Sequence, residues 1–125
     1  MGKAALPEVL LVEDEFLMCV MIEGALSEAG FSVHTFSNGR DALGYLAAGG
    51  HADVLFTDID LGGDIDGVEL ARRSRALDAG IGVVYASGRT KPNDAVAGAA
   101  FLAKPYILAQ ACATVERMVG HRTAA

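Results

Sequence analysis

Three carboxylates, a hydroxyl and an ammonium group stand where side chains could act together: Glu13, Asp14, Asp58, Ser87 and Lys104. Each follows a short apolar run, so each is a candidate for the carboxyl end of a buried strand. Carboxylates gathered at one point repel, and one is driven to protonate unless a cation is present. A hard divalent ion such as Mg2+ relieves this, taking oxygens from one or two carboxylates and keeping several waters. Open coordination positions of that kind accept phosphoryl oxygens. Phosphoryl transfer asks for little more than an in-line nucleophile, a metal and fixed positive charge. Asp58 can be the nucleophile, because carboxylates form aspartyl phosphates. Lys104 can neutralise one phosphoryl oxygen, and the Ser87 hydroxyl can hydrogen-bond another. None of His34, His51 or His121 follows a strand, and the chemistry needs no histidine.

Taken singly, these residues have plainer roles. Asp14 reads as a helix N-cap, Ser87 as a turn residue before Gly88, and Lys104 as a surface lysine before Pro105. Coincidence at four separate strand ends is what gives them a joint meaning.

The elements that must position them alternate along the chain. Apolar runs rich in Val, Leu and Phe predict strands at Glu8–Val12, Phe31–Thr35, Val54–Thr57, Ile81–Ala86 and Ala100–Ala103, with lengths suited to burial on both faces of a parallel sheet. Between them, Leu17, Met18, Met21, Ile22, Ala25, Leu26 and Ala29 form a helical stripe stopped by Gly30, with Met18 and Met21 expected in the core. Asn38 opens a second helix, and Asp66 with Glu69 resembles a capping box for a third. Leu108, Ala111, Cys112, Val115 and Val119 predict the last, ending near Gly120. Between Ser87 and Ala100 there is room only for a short helix, over Asp94–Ala99. Five β–α units with right-handed crossovers give an open, doubly wound α/β sheet, whose site lies outside the carboxyl ends of the strands.

Length and charge narrow the partners. A chain of 125 residues is expected to form one domain, residues 1–125. Hydrophobic residues make up 52% and no apolar run reaches spanning length, so a folded chain without membrane contact is expected. Carboxylates inside MGKAALPEVLLVEDE argue against a secretory address and for a cytoplasmic one. Cys19 and Cys112 lack metal or redox spacing and read as small buried thiols. The net charge is −6, and eight of the 16 acidic residues lie in Glu13–Glu15 and Asp58–Glu69. That placement calls for a cation and disfavours nucleic acid, which needs a basic face; Arg72, Arg73 and Arg75 read as a solvated helix face.

The segments VLLVEDE (Val9–Glu15), VLFTDIDL (Val54–Leu61), VVYASG (Val83–Gly88) and FLAKPY (Phe101–Tyr106), with 44 residues from Asp14 to Asp58, resemble the receiver domain of bacterial response regulators over nearly the whole chain. The resemblance implies a flavodoxin-like five-stranded sheet in the order 2-1-3-4-5. It makes Asp58 the phosphoacceptor and gives Mg2+ to Glu13, Asp14, Asp58 and the backbone carbonyl of Asp60. Ser87 becomes the switch hydroxyl, Phe101 the switch aromatic, Lys104 the phosphate-pairing lysine, and Lys104–Pro105 a cis peptide. Asp60 and Arg89 would line the approach of hydrolytic water. The donor would be a histidine kinase or histidine phosphotransfer protein. The output would be altered binding of a downstream protein, because the chain carries no output module. The domain would process only its own phosphoryl group and would not be a turnover enzyme.

The chain also departs from the common pattern. The interval from Ser87 to Lys104 is short, so the fourth helix is truncated or missing. Tyr85–Arg89 and the Leu61–Gly63 loop resemble the Phe-Ala-Thr-Gly-Tyr "FATGUY" branch, with serine for threonine and Arg89 for the final tyrosine. Phe101 has no hydroxyl, so its inward and outward states differ by packing alone.

Three other readings compete. Asp58–Glu69 fits an EF-hand loop, with acids at positions one, three and nine, Gly63 at six and Glu69 at twelve, though a strand precedes it. Asp58-Ile59-Asp60 resembles the motif of haloacid-dehalogenase-like phosphatases, with Gly62 where Thr or Val belongs. A receiver fold serving as an unphosphorylated interaction module would leave so costly a cluster of like charge without purpose.

Overall fold

The computed structural model describes residues 5–124, with side chains as far as Gly120; His121 and the first residues of MGKAALPEVLLVEDE therefore fall outside the described side chains. Short runs of β-branched and apolar residues form five strands: Glu8–Val12 (β1), Ser32–Phe36 (β2), Val54–Asp58 (β3), Gly82–Ser87 (β4) and Ala100–Ala103 (β5). Helices span Phe16–Glu28 (α1), Gly39–Ala47 (α2), Gly67–Leu77 (α3) and Leu108–Ala124 (α4). The strands make one parallel sheet in the order β2-β1-β3-β4-β5. This is the flavodoxin-like doubly wound arrangement.

Strand alternation sends side chains into two apolar layers. Val9, Leu11, Val54, Phe56, Val84 and Ala86 meet Ile22 and Leu26 of α1 and Ala111, Val115 and Met118 of α4. On the other face Leu10, Val12, Leu55, Val83 and Tyr85 meet Ala42 of α2 and Val68, Leu70 and Ala71 of α3. Every residue of β3 and β4 is buried, as central strands covered by helices on both sides require.

Local signals set most boundaries. The Asn38 side chain accepts from the Asp41 amide at 2.8 Å, and that of Asp66 accepts from the Glu69 amide at 2.8 Å. Both meet amide groups that a helix start leaves unpaired. Only half of the expected capping box forms, because the Glu69 carboxylate turns to Arg72 and Arg73 instead. Gly30 carries φ +101° after α1, the left-handed conformation that favours glycine.

Three expectations need correcting. Met21 is not core: it is 53% exposed, as is much of Phe16, Leu17 and Val20, while Ile22 and Leu26 are buried. Because α1 (FLMCVMIEGALSE) is apolar nearly all round, periodicity could not single out its inner face. Second, no helix forms between β4 and β5; residues 88–99 run as turns. Pro92, Gly98 and a twelve-residue span leave too few residues to repay helix nucleation. Third, α4 continues past Gly120 to Ala124. The incoming strand β3 also removes the EF-hand reading, which requires a helix before Asp58.

Candidate functional site

β1, β3, β4 and β5 deliver the five chemistry-bearing residues to the same edge of the sheet. β1 ends at Val12, so Glu13 and Asp14 follow directly; Asp58 is the last residue of β3, and Ser87 the last of β4. Ser87 pairs in register with Ala103, which places Lys104 one step beyond. The Lys104 amide donates to the Ser87 carbonyl at 2.8 Å, and Lys104–Pro105 is cis.

Side chains close the pocket. Lys104 Nζ lies 3.2 Å from Asp58 Oδ2 and 3.8 Å from Glu13 Oε1. Ligand oxygens of Glu13, Asp14 and Asp58 lie within 4.8 Å of one another. Asp58 is only 7% exposed and Glu13 only 5%. Glu13 Oε2 accepts from the Glu15 amide at 3.0 Å, and Asp58 Oδ1 from the Asp60 amide at 3.2 Å. Asp14 is not the N-cap of α1, a position held by Glu15 without a side-chain cap bond; Asp14 Oδ2 accepts instead from the Gly62 amide at 3.3 Å.

Burial pushes the Glu13 carboxyl above its ordinary range. The Glu15 amide and Lys104 pull it down, while the charge of Asp58 and a side-chain hydrogen bond with Asp14 add to the rise. One ammonium against three carboxylates leaves a shortage of positive charge. A hard cation with oxygen ligands suits that donor set, so the residues present fit Mg2+.

The rim carries the remaining predicted residues. The buried Ser87 hydroxyl accepts from the Arg89 amide at 3.0 Å. Arg89 Nε faces Asp60 Oδ2 at 3.8 Å, both exposed. Phe101 is half-buried against the layer that contains Tyr85. His34, in the middle of β2, and His51 serve contacts outside the pocket, their Nε2 atoms 3.1 Å from Glu8 and 3.1 Å from Asp53 respectively.

Three contributors escaped the sequence reading. A Cβ on Gly67 would stand 2.2 Å from the Asp58 carbonyl oxygen, so only glycine lets α3 begin against the Asp58 backbone; the Asp66-Gly67 pair gives the signal but reads equally as a simple cap. Thr57 Oγ1 donates to the Asp58 carbonyl at 2.9 Å. Burial pushes the pKa of the Tyr106 hydroxyl up to about 12, and the charges of Glu13 and Asp58 add to the rise.

Fold and pocket define a flavodoxin-like α/β domain with an acidic, lysine-anchored pocket at the carboxyl end of its sheet. Within that class, the family described as "Response regulator receiver domain" matches residues 9–115. The response regulator receiver protein CpdR of Brucella abortus is 32% identical over 116 residues, covering 89% of this chain and 95% of CpdR. The transcriptional regulatory protein PrrA of Mycobacterium bovis is 32% identical over 121 residues, and the chain spans about half of its length, 51%. A crystal structure of a response regulator receiver protein from Sinorhizobium medicae WSM419 superposes with a TM-score of 0.89 at 31% identity, covering 94% of this chain and 97% of that one. The chain belongs to the response regulator receiver domain family, and with it to the proteins of two-component signalling.

Proposed function

We propose that Asp58 accepts a phosphoryl group from a histidine kinase or histidine phosphotransfer protein, and that the change in charge alters what the domain binds. The observation that carries this reading is the buried Asp58 carboxylate with Lys104 Nζ at 3.2 Å and two further carboxylates beside it. In the transfer, the phosphorus–nitrogen bond of the donor breaks, an Asp58 oxygen bonds phosphorus, and the imidazole leaves with the electron pair. Glu13, Asp14, Asp58 and the Asp60 carbonyl would hold Mg2+, which supplies charge neutralisation to the phosphoryl oxygens. Lys104, already 3.2 Å from Asp58 Oδ2, would neutralise another oxygen.

The switch follows from what Ser87 gives up. Its hydroxyl now accepts from the Arg89 amide; to donate to a phosphoryl oxygen it turns towards Asp58, drawn by about −1.5 to −2 of new charge. Phe101 then moves into the space vacated and repacks the β4–β5 face. Hydrolysis by water restores the carboxylate, and the exposed Asp60–Arg89 pair lines the water's approach and sets the lifetime. The domain works on its own phosphoryl group alone. Phe16, Leu17, Val20 and Met21, exposed on α1, give an apolar surface on which a donor protein can dock.

The test is incubation with a small acyl phosphate, with Mg2+ or chelator, read by intact mass. A single phosphoryl adduct that needs Mg2+ and is lost in Asp58→Asn supports the proposal. No adduct on the wild type, or an equal adduct on the variant, removes it.

A further inference from the structure

Residues 88–99 occupy the crossover from β4 to β5 without a helix of their own, and specific contacts hold them down. Tyr85 is wholly buried in β4, yet its hydroxyl accepts a hydrogen bond from the Val96 amide at 3.1 Å. Asp94 meets Arg72 of α3 at 3.1 Å. Ala95, Val96 and Ala99 pack on the apolar layer that includes Tyr85 and Phe101. Past Val96, the Ala99 amide donates back to the Val96 carbonyl at 3.3 Å, and Gly98 takes φ +73°. The segment is thus a turn fastened at two points, one inside the core and one at the surface.

The inner fastening stands next to the switch. Tyr85 and Phe101 are register partners on adjacent strands, so their side chains share one face of the sheet. Ser87, two residues beyond Tyr85, faces the same way. Movement of either Ser87 or Phe101 therefore changes the packing around the Tyr85 ring. A buried hydroxyl that loses its partner is costly, so the Tyr85–Val96 bond resists partial loosening and favours two distinct states.

We propose that residues 88–99 are a strap clasped by the Tyr85 hydroxyl and by the Arg72–Asp94 pair, and that occupation of Asp58 opens the clasp through Ser87 and Phe101. The second half rests on the phosphoryl-accepting reading above; the clasp itself does not. Tyr85 acts here as a positioning residue. The strap fills the crossover without a helix, and its release uncovers the side chains of Val96 and Phe101 packed over Tyr85.

Amide hydrogen exchange on the full chain tests both halves. In Tyr85→Phe without phosphodonor, the Val96 amide and the peptide covering residues 93–99 should exchange roughly three- to tenfold faster, the range for loss of one hydrogen bond. β1 and β3 should keep wild-type protection. Asp94→Ala should act in the same direction through the surface fastening, and unchanged exchange in both variants overturns the clasp. With Mg2+ and beryllium fluoride, the wild-type strap should approach the exchange of Tyr85→Phe. Fluorine NMR reports whether Asp58 is occupied. Occupied Asp58 with an unchanged strap overturns the link to the switch. Absence of occupation overturns the reading of Asp58 instead, and the Tyr85→Phe comparison still decides the clasp.

Discussion

Lys104 does two jobs with one ammonium group: it holds Asp58 Oδ2 at 3.2 Å and faces Glu13 at 3.8 Å. Its removal should therefore spare the carboxylates that would hold Mg2+ and abolish the coupling of Asp58 to β4 and β5. In Lys104→Ala, Mg2+ titration followed by NMR should still shift the Asp14 and Asp60 amides. Beryllium fluoride should no longer shift those of Ser87 and Phe101; a full response there contradicts the assigned role. Glu13 offers a second test. Its raised folded value means that the native state holds a proton more tightly than the unfolded chain. That stability is present below the ordinary carboxylate range and lost as pH rises through the raised value. In chelator, Glu13→Gln should thus be more stable than wild type at neutral pH, with the difference shrinking on acidification, as read by urea unfolding at each pH. A less stable variant at neutral pH contradicts this. At this scale the sequence was informative, because a residue following an apolar run needs only the strand to be right. The partners of Ser87 and Asp14 were not legible, since the amides of Arg89 and Gly62 carry no side-chain signature.

All five strands were visible as apolar runs, and their bounds differ by at most a residue at either end, as for β2 at Ser32–Phe36. Helices were harder. The composition of α1 is apolar nearly all round, so periodicity reads Met21 as internal although it faces solvent. The β4–β5 crossover was legible as too short, but not as helix-free, because its order comes from a long-range bond between Tyr85 and Val96. α3 supplies the prediction at this level. It begins so close to the Asp58 backbone that a Cβ on Gly67 would meet the carbonyl oxygen at 2.2 Å and the Ile59 Cα at 2.7 Å. Neither backbone atom can swing aside like a side chain. Gly67→Ala should destabilise the domain by about 2 kcal/mol, seen as a thermal midpoint lowered by roughly 5–10 °C. An unchanged midpoint would show that α3 shifts freely.

Across the whole molecule, the two ends of the sheet have different electrostatic characters. The amino end pairs His34 and His51 with Glu8 and Asp53, and the carboxyl end gathers Glu13, Asp14 and Asp58 around one lysine. At the carboxyl end three carboxylates crowd within 4.8 Å of one another against a single lysine, which is where a cation relieves the repulsion. Mg2+ should raise the thermal midpoint, because a ligand that binds only the native state stabilises by about 1.4 kcal/mol at tenfold excess over Kd. Asp14→Asn should weaken that response, and an equal response in Asp14→Asn and wild type argues against the cation pocket. The fold-level logic, with four strand ends meeting at one edge, was available from the alternation of elements alone, whereas the charge balance within the pocket required the distances.

Which side chain takes the phosphoryl group decides the function of the domain. An aspartyl phosphate is an acyl phosphate, which borohydride reduces to an alcohol, so a phosphorylated aspartate becomes homoserine. The chain should be treated with a small acyl phosphate and Mg2+, reduced, digested and sequenced by mass spectrometry. Homoserine at position 58, absent when Mg2+ is chelated, is the predicted result. Homoserine at another carboxylate, or a phosphoryl group that survives reduction on a hydroxyl or an imidazole, would contradict it.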